Sequence, residues 1–177
     1  MPVQRNQQPR LESISPSDFE PVAAVAREIW LAHYSSIIST EQIEYMLKGR
    51  FTPANLQRYV DAPDRWMYVL KLDNAVVGYC SYALTDAPTE MKLEQLYLRP
   101  ALHGRGLGKY MLEHVERKAR ENGCDTLILQ VNKHNTSSVD VYKRGGFQIR
   151  EEIVLDIGQG YVMDDFIMQK KIDPSSA

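Results

Sequence analysis

The chain has 177 residues, of which 44% are hydrophobic and 25% are charged, and its formal net charge is −2. This length and composition are typical of one soluble domain with a sizeable core. The nearly balanced charge excludes a global field that would recruit nucleic acid or an anionic membrane. No apolar run approaches the ~18 residues of a membrane span. For these two reasons we expect neither nucleic acid nor a membrane as a partner.

The two cysteines, Cys80 and Cys124, lie far apart in the sequence. This favours a reduced, cytoplasmic protein over a disulfide framework. The four histidines show no metal-ligand spacing with them, so we predict no metal site. The first residues are polar and lack an apolar signal core. We expect a flexible tail at 1–9, a single domain at 10–172 and a short tail at 173–177.

The N-terminal part of the chain predicts a strand followed by helices. Residues 10–14 form a strand-like run, and residues 15–18 (Ser-Pro-Ser-Asp) are a helix start with serine at the N-cap and proline at N1. Apolar residues then recur at helical spacing as far as His33. Two further helices are predicted, one beginning near Thr40 that buries Ile43, Met46 and Leu47, and a weaker one over residues 53–60.

The rest of the chain alternates strands with helices. A tight turn at Asp73-Asn74 joins the first two strands into a hairpin. In chain order, the predicted segments are strands at 66–72, 75–84 and 91–98, a helix at 107–121, a strand at 126–131, a helix at 137–144 and strands at 147–157 and 161–170. This order is typical of a mixed α/β domain.

The most informative segment follows the predicted strand at 91–98. Pro100 ends the strand-like run, and glycines then stand at positions 104, 106 and 108, directly before a helical pattern. Glycine lets a ligand approach the main chain, and the first N–H groups of a helix have no internal partner. The segment therefore predicts a phosphate or pyrophosphate site. Its spacing matches neither the dinucleotide fingerprint nor the P-loop, and a plain strand-to-helix connection stays the alternative.

Two segments carry a resemblance to a known family. Leu96 to Gly108 resembles the acyl-CoA signature of the GCN5-related N-acetyltransferases, and Asn132 to Phe147 resembles that family's N-x-x-A-x-x-x-Y-x-x-x-G-F segment. Two departures stand out, since His103 replaces the usual Arg or Gln and Ser138 replaces a small Ala. The resemblance implies a single-domain α/β fold with a mixed, mostly antiparallel sheet of about seven strands flanked by helices, with strands 4 and 5 splayed.

The resemblance also implies an activity. We expect an N-acetyltransferase that moves an acetyl group from acetyl-CoA to a primary amine of a small molecule, by direct attack in a ternary complex. Residues 93–98 and 161–168 resemble the polyamine/diamine acetyltransferase-like branch, which makes a polyamine a candidate acceptor. A homodimer is a family-level expectation. Two alternatives stay open: acetylation of a protein or peptide N-terminus or lysine, and a CoA-binding regulatory module without turnover.

Two residues are candidates for proton transfer. Strand alternation puts Glu94 on one face with Leu96 and Leu98, and a carboxylate on an apolar side tends toward a raised pKa, which suits a general base. The alternative is a solvent-facing glutamate at a sheet edge. The resemblance maps the family's catalytic tyrosine to Tyr142, the candidate acid for the CoA thiolate. Its alternative is a core tyrosine that packs under Phe147.

The predicted donor site combines the strand, the glycine turn and the second motif. The family's strand splay implies that a backbone N–H within residues 96–98 stabilises the developing oxyanion. Asn135 is expected to contact the pantetheine arm, with an ordinary N-cap as the alternative. The predicted CoA-binding residues are Leu96, Tyr97, Leu98, Arg99, His103, Gly104, Arg105, Gly106, Leu107, Gly108, Lys109, Asn135, Ser138 and Tyr142.

Family analogy puts the acceptor site between the first two helices and the final hairpin. Carboxylates beside aromatic rings suit a cationic amine by charge pairing and cation–π contact. The alternatives are a core role for the tryptophan and solvated carboxylates on the hairpin. The predicted acceptor residues are Trp30, His33, Tyr34, Tyr161, Asp164 and Asp165.

Overall fold

The structure, a computed structural model, describes residues 8–173. Residues 1–7 and 174–177, which include most of both predicted tails, lie outside the described part. The strands are β1 (Arg10–Ser13), β2 (Arg65–Leu72), β3 (Ala75–Leu84), β4 (Glu90–Leu98), β5 (Thr126–Asn132), β6 (Gln148–Gly158) and β7 (Tyr161–Lys171). The helices are α1 (Phe19–Tyr34), α2 (Thr40–Arg50), α3 (Pro53–Gln57), α4 (Leu107–Glu121) and α5 (Thr136–Arg144), with short 3₁₀ turns at Pro16–Asp18 and Pro100–Leu102.

All seven strands belong to one mixed sheet, in the order β1-β2-β3-β4-β5-β7-β6. Neighbouring strands are antiparallel except for β4 and β5, which run parallel. The β4–β5 register covers only Glu90–Leu93 against Thr126–Leu129, and among the described residues no pair follows it. The predicted fold class is therefore confirmed, including the splay of the fourth and fifth strands.

Two hydrophobic cores lie on opposite faces of the sheet. On one face α4 buries Met111, Val115 and Ala119 against β3, β4 and β5. On the other face α1 buries Val22 and Ile29 against β2 and β3. The sheet is thus a layer with helices on both sides, which is the stable way to cover two apolar sheet faces.

The predicted start of the first helix is confirmed, with a 3₁₀ turn before α1. The Ser15 N–H donates to Asp18 Oδ2 at 3.0 Å, which is one half of a capping box. Asp18 is buried, and Lys71 Nζ on β2 lies 2.9 Å from its Oδ1. Burial raises the pKa of Asp18, but the bonds from Lys71 and Ser15 outweigh burial and hold it below the ordinary value. The ion pair therefore fastens the start of α1 to the sheet.

The second helix buries less than its apolar pattern predicts. Ile43 is fully buried, but Met46 and Leu47 are only half-buried and line a cleft. They are exposed because α2 lies over the cleft and does not pack flat on the sheet. Within residues 8–173, none of the helices combines the length and apolarity that crossing a membrane requires.

A buried histidine on α4 is held neutral by its surroundings. His114 is 6% exposed, and its Nδ1 accepts from Arg117 at 3.2 Å. Nε2 therefore carries the proton and donates to the Tyr82 hydroxyl at 2.9 Å. Burial, followed by the positive charges of Arg117 and Lys118, lowers the pKa of His114 to about 4.

This histidine makes stability depend on pH in the mildly acidic range. The folded pKa of His114 lies at about 4, below the unfolded value of about 6.5, so the unfolded chain binds the proton first as pH falls. The contribution of His114 is complete above pH ~6.5 and falls by about 3 kcal/mol on reaching pH ~4.

We expect His114→Gln to reduce that loss while keeping a partner for Tyr82. Chemical unfolding of both proteins at pH ~8 and pH ~4.5 measures the difference, and the wild type should lose about 2–3 kcal/mol more than the variant. Contributions from other groups, such as His33, are common to both proteins and cancel. An equal loss in both proteins would show that His114 is not held neutral.

Candidate functional site

A cleft of about 2150 Å³ opens in the sheet where β4 and β5 separate. It is bordered by α1, α2 and α3 on one side and by α4, α5 and the β6–β7 hairpin on the other. Most of the predicted site residues line this one cleft. They are Trp30, His33, Tyr34, Glu94, Leu96, Tyr97, Leu98, His103, Gly104, Gly106, Gly108, Lys109, Asn135, Ser138, Tyr142, Tyr161 and Asp165.

The open edge of β4 presents two backbone donors to the cleft. The Arg99 N–H donates to Val77 O on β3 at 3.0 Å. Because N–H groups alternate sides along an antiparallel strand, those of Leu96 and Leu98 face away from β3 and toward the gap. The side chain of His103 bonds the same edge, since its Nε2 lies 3.0 Å from Leu98 O. The edge can therefore donate hydrogen bonds to a ligand that lies between the strands.

The glycine turn has the geometry of an anion cradle. Gly104 and Gly106 have φ angles of +80° and +78°, a left-handed conformation that favours glycine. The first helical bond of α4 runs from Tyr110 N–H to Gly106 O at 3.0 Å, so the N–H groups of residues 107–109 precede the helical ladder. A Cβ added at Gly108 would meet no protein atom within 4 Å. The residues present thus fit a pyrophosphate group.

Three predicted CoA contacts are not side-chain contacts in the cleft. The Arg99 side chain turns to α1, where its Nη2 lies 3.2 Å from Glu28 Oε2. Leu107 is buried in the core beneath α4, and its contribution is limited to its backbone N–H. Arg105 is exposed and does not line the cleft. Arg99 is therefore engaged within the protein, because its side chain pairs with Glu28 and its N–H donates to Val77 O, and the structure does not direct either group to a phosphate.

Tyr142 combines a packed ring with an available hydroxyl. Its ring meets the Phe147 ring at an angle of 69° and a centroid distance of 5.6 Å, so the core alternative describes the ring. Within the described residues the hydroxyl has no hydrogen-bond partner, and the side chain lines the cleft. Burial raises the pKa of Tyr142 to about 12. The hydroxyl therefore keeps its proton at neutral pH and is present in the acid form.

A β-bulge places Glu94 on the face opposite to the predicted one. Ser81 pairs with Gln95 and the next residue of β3 pairs with Leu93, which leaves Glu94 as the extra residue of β4. Leu96 packs in the core under α4, whereas Glu94 is exposed to the cleft and accepts from the Tyr59 hydroxyl at 2.9 Å. The expected shared face with Leu96 is thus wrong, because the bulge shifts the strand alternation by one residue.

The last turn of α1 makes hydrogen bonds to both β4 and the start of α5. The Tyr34 and Tyr97 hydroxyls lie 2.6 Å apart, which ties α1 to β4. His33 Nε2 lies 2.8 Å from Asn135 Nδ2, which ties α1 to α5. Asn135 Oδ1 accepts from Ser138 N–H as the helix cap, so its amide is the donor and His33 must be neutral. Burial lowers the pKa of His33, which keeps this hydrogen bond intact at neutral pH.

Side-chain contacts decide between the alternatives for two predicted residues, Asn135 and Trp30. The cap alternative holds for Asn135, with the additional bond to His33. Trp30 is 1% exposed, and its Nε1 donates to the Tyr79 hydroxyl at 3.0 Å. The Trp30 ring still lines the cleft, but its polar atom is occupied inside the protein. Trp30 is therefore part of the core wall, as its alternative described.

The acceptor side of the cleft is roofed by α2. The Tyr45 hydroxyl donates to Ile157 O on β6 at 2.7 Å, and Gln42 Nε2 donates to Val162 O on β7 at 3.0 Å. The rings of Tyr45 and Tyr161 lie 5.3 Å apart. These contacts hold α2 against the final hairpin, so this side of the cleft is covered.

The two predicted hairpin carboxylates lie on opposite faces of β7. Asp165 is 1% exposed at the bottom of the cleft, and its Oδ2 accepts from Gln130 Nε2 on β5 at 2.7 Å. Asp164 points the other way and lies 2.8 Å from Lys133 Nζ. The prediction of Asp164 as an acceptor residue is therefore wrong, since it is outside the cleft and already paired.

Several cleft residues were not found from the sequence. Tyr59, Gln95 and Gln130 reach the site through packing of distant segments, and Arg50 and Arg144 line its two ends. Local patterns give no signal for any of them, because their place in the cleft depends on packing between segments that are distant in the sequence. Across residues 8–173, His, Cys, Asp and Glu side chains form no group of three or more that could hold a metal ion.

Comparison with known proteins agrees with this geometry. The model of the Acetyltransferase (GNAT) family matches residues 25–147. The chain belongs to this family. Its members are acyl-CoA-dependent N-acetyltransferases, and the present chain is an enzyme of that type.

Three similar proteins cover almost the whole chain. The uncharacterized N-acetyltransferase of the pepI 3′ region of Lactobacillus delbrueckii subsp. lactis is 28% identical over 92% of this chain and 97% of its own length. The spermidine N(1)-acetyltransferase of Thermoplasma acidophilum is 26% identical over the same shares. The crystal structure of the PaiA N-acetyltransferase of T. acidophilum in complex with coenzyme A superposes with a TM-score of 0.79, at 24% identity over 93% of this chain and 99% of that one.

Phosphate binding by the glycine turn at residues 104–108 can be tested at a glycine that has space for a side chain. Gly108 is the second residue of α4, and an added Cβ would meet no protein atom within 4 Å. Ala is a better helix former than Gly, so the substitution does not disfavour the helix. We expect Gly108→Ala to keep or raise the melting temperature of the free protein and to weaken CoA binding at least ~10-fold, because the methyl group would occupy the phosphate position.

The measurement is the melting temperature with and without CoA. Gly49→Ala, in α2 on the opposite side of the cleft and likewise without neighbours, is the matched control and should leave the CoA-dependent shift unchanged. An unchanged shift for Gly108→Ala would mean that CoA does not contact this turn.

Proposed function

We propose that this protein transfers the acetyl group of acetyl-CoA to a primary amine of a small molecule in a ternary complex. The observation that carries the proposal is that the glycine turn, the open edge of β4, Tyr142 and Glu94 all line one cleft. Acetyl-CoA, when bound, supplies the acetyl group as a thioester. The remaining chemistry falls to the residues of the chain.

The proposal assigns a residue to each step. Glu94 takes a proton from the amine, directly or through water, as the nitrogen attacks the thioester carbonyl carbon. The N–H groups of Leu96 and Leu98 donate to the oxygen that gains charge. As the C–N bond forms and the C–S bond breaks, Tyr142 gives its proton to the departing thiolate. Tyr59 donates to Glu94 at 2.9 Å and keeps that carboxylate on the acceptor side.

The roof over the cleft supports a small acceptor. Tyr45 and Gln42 join α2 to the final hairpin, so an acceptor must fit beneath this connection. A lysine or N-terminus of a folded protein needs an open groove, which this connection obstructs. The likeness to the spermidine N(1)-acetyltransferase of T. acidophilum supports an amine of similar size, and a polyamine is our candidate.

The proposal also favours turnover over a regulatory role. A module that only binds CoA needs the cradle at residues 104–108 but needs neither acid nor base. In this cleft, Tyr142 has an unpartnered hydroxyl and Glu94 has its own hydrogen-bonded support. Such a pair is best explained by proton transfer during catalysis.

Tyr142→Phe tests the acid directly. Removing the hydroxyl keeps the ring packed on Phe147, so the melting temperature and the CoA affinity should be unchanged. We expect kcat to fall by about 10²- to 10⁴-fold, which is the typical contribution of a general acid. Thiol release from acetyl-CoA over a panel of amines is the measurement.

Tyr110→Phe is the control, because this tyrosine lies exposed on α4 and does not line the cleft. It should leave kcat unchanged. Failure of the wild type to release thiol with any amine, despite CoA binding, would favour the regulatory module. Turnover with peptides and none with small amines would favour the protein-acetylating alternative.

A further inference from the structure

The bottom of the cleft contains buried oxygen atoms without hydrogen-bond partners. Asp165 is 1% exposed, and its Oδ1 has no partner among residues 8–173. Gln95 is 6% exposed, and its Oε1 is likewise without a partner. Both residues line the cleft. Unpaired buried polar atoms cost about 1–3 kcal/mol each, so atoms of this kind at a binding site need an explanation.

Both atoms have the same chemical character. A carboxylate oxygen and an amide oxygen only accept hydrogen bonds, so the missing partner must be a donor. The amide of Gln95 is oriented by its Nε2, which donates to Ser81 Oγ at 3.3 Å and leaves Oε1 on the other side. The site therefore fits a ligand with several N–H groups and does not fit a carboxylate or phosphate.

Asp165 is held in its orientation by a neighbour on β5. Gln130 Nε2 donates to Asp165 Oδ2 at 2.7 Å, and Gln130 Oε1 lies 3.5 Å from Lys92 Nζ. Lys92 is therefore engaged through Gln130, and no lysine or arginine among the described residues lies within ion-pair distance of Asp165. The Asp165 carboxyl thus lies at the bottom of the cleft without an ion-pair partner. Burial raises its pKa, and a cation beside Oδ1 would favour the charged form.

We propose that Asp165 binds the distal, protonated nitrogen of a diamine acceptor while the other nitrogen reacts beside Glu94. This inference rests on the proposed function and names its substrate class. Glu94 lies on β4 and Asp165 on β7, with β5 between them, so two strand spacings give a lower bound on the order of 10 Å, which the opening between β4 and β5 increases. A linear diamine can span such a distance, whereas a monoamine leaves Asp165 unpaired.

The test compares α,ω-diaminoalkanes of increasing length with n-alkyl monoamines of matched length. With the wild type, we expect diamines to have kcat/KM values about 10- to 100-fold higher than the monoamines, with an optimum length. Asp165→Asn keeps the acceptor for Gln130 and removes the charge. It should lower kcat/KM for diamines by about 10- to 100-fold, mainly through KM, and change the monoamine values less than ~3-fold.

Asp164→Asn is the matched control. It removes the same charge one residue away, outside the cleft, and should leave the diamine preference unchanged. Asp165→Asn should also raise the melting temperature of the free protein, because it removes an unpaired buried charge. Asp165→Ser provides a second variant without the carboxylate, with the same expected loss of diamine preference.

Calorimetric titration of a diamine into the CoA-loaded protein separates this inference from the proposed function. Diamine binding that depends on Asp165, without thiol release from acetyl-CoA, would overturn the proposed function and support the inference. Equal turnover of monoamines and diamines, or equal losses for both with Asp165→Asn, would overturn the inference and leave the acetyltransferase intact.

Discussion

The separation of β4 from β5 beyond Leu93 and Leu129 is the constraint on which the rest of the site depends. A sheet normally pairs every interior backbone group, and an unpaired buried donor costs about 1–3 kcal/mol. Here the edge of β4 faces a cleft, where water or a ligand can accept from the Leu96 and Leu98 N–H groups. The break in strand pairing thus leaves backbone N–H groups of β4 available to a ligand at the centre of the sheet.

The surrounding elements keep this gap at a fixed width. The Tyr34–Tyr97 contact ties α1 to β4, and the His33–Asn135 contact ties the same helical turn to α5. Below the gap, α4 packs on both strands through the core that it shares with Phe147. A rigid gap places the glycine turn, the open β4 edge and Tyr142 along one path, which is what precise orientation of a thioester requires.

Much of the fold and the donor side could be predicted from the sequence, because both are encoded locally. The glycines at 104–108 and the segment at 132–147 are short signatures whose backbone geometry depends on nearby residues. Glu94 and Arg99 show where this logic fails. One bulge residue reverses the face of Glu94, and the Arg99 side chain pairs with Glu28 on α1.

The acceptor side was less predictable because it depends on contacts between distant segments. Tyr59 supports Glu94 from the turn after α3, and Gln130 orients Asp165 from a neighbouring strand. No spacing within either segment signals such a contact, because packing alone brings the partners together. The same applies to His33, whose partner lies 102 positions along the chain.

The central claim is that the open edge of β4 is the binding edge for the acyl donor. Amide hydrogen exchange followed residue by residue by NMR, with and without CoA, tests this claim most directly. The account predicts that the Leu96 and Leu98 amides exchange fast in the free protein and become protected with CoA, while Tyr97, bonded toward β3, is protected in both states. Unchanged exchange at Leu96 and Leu98 in the CoA complex would contradict it.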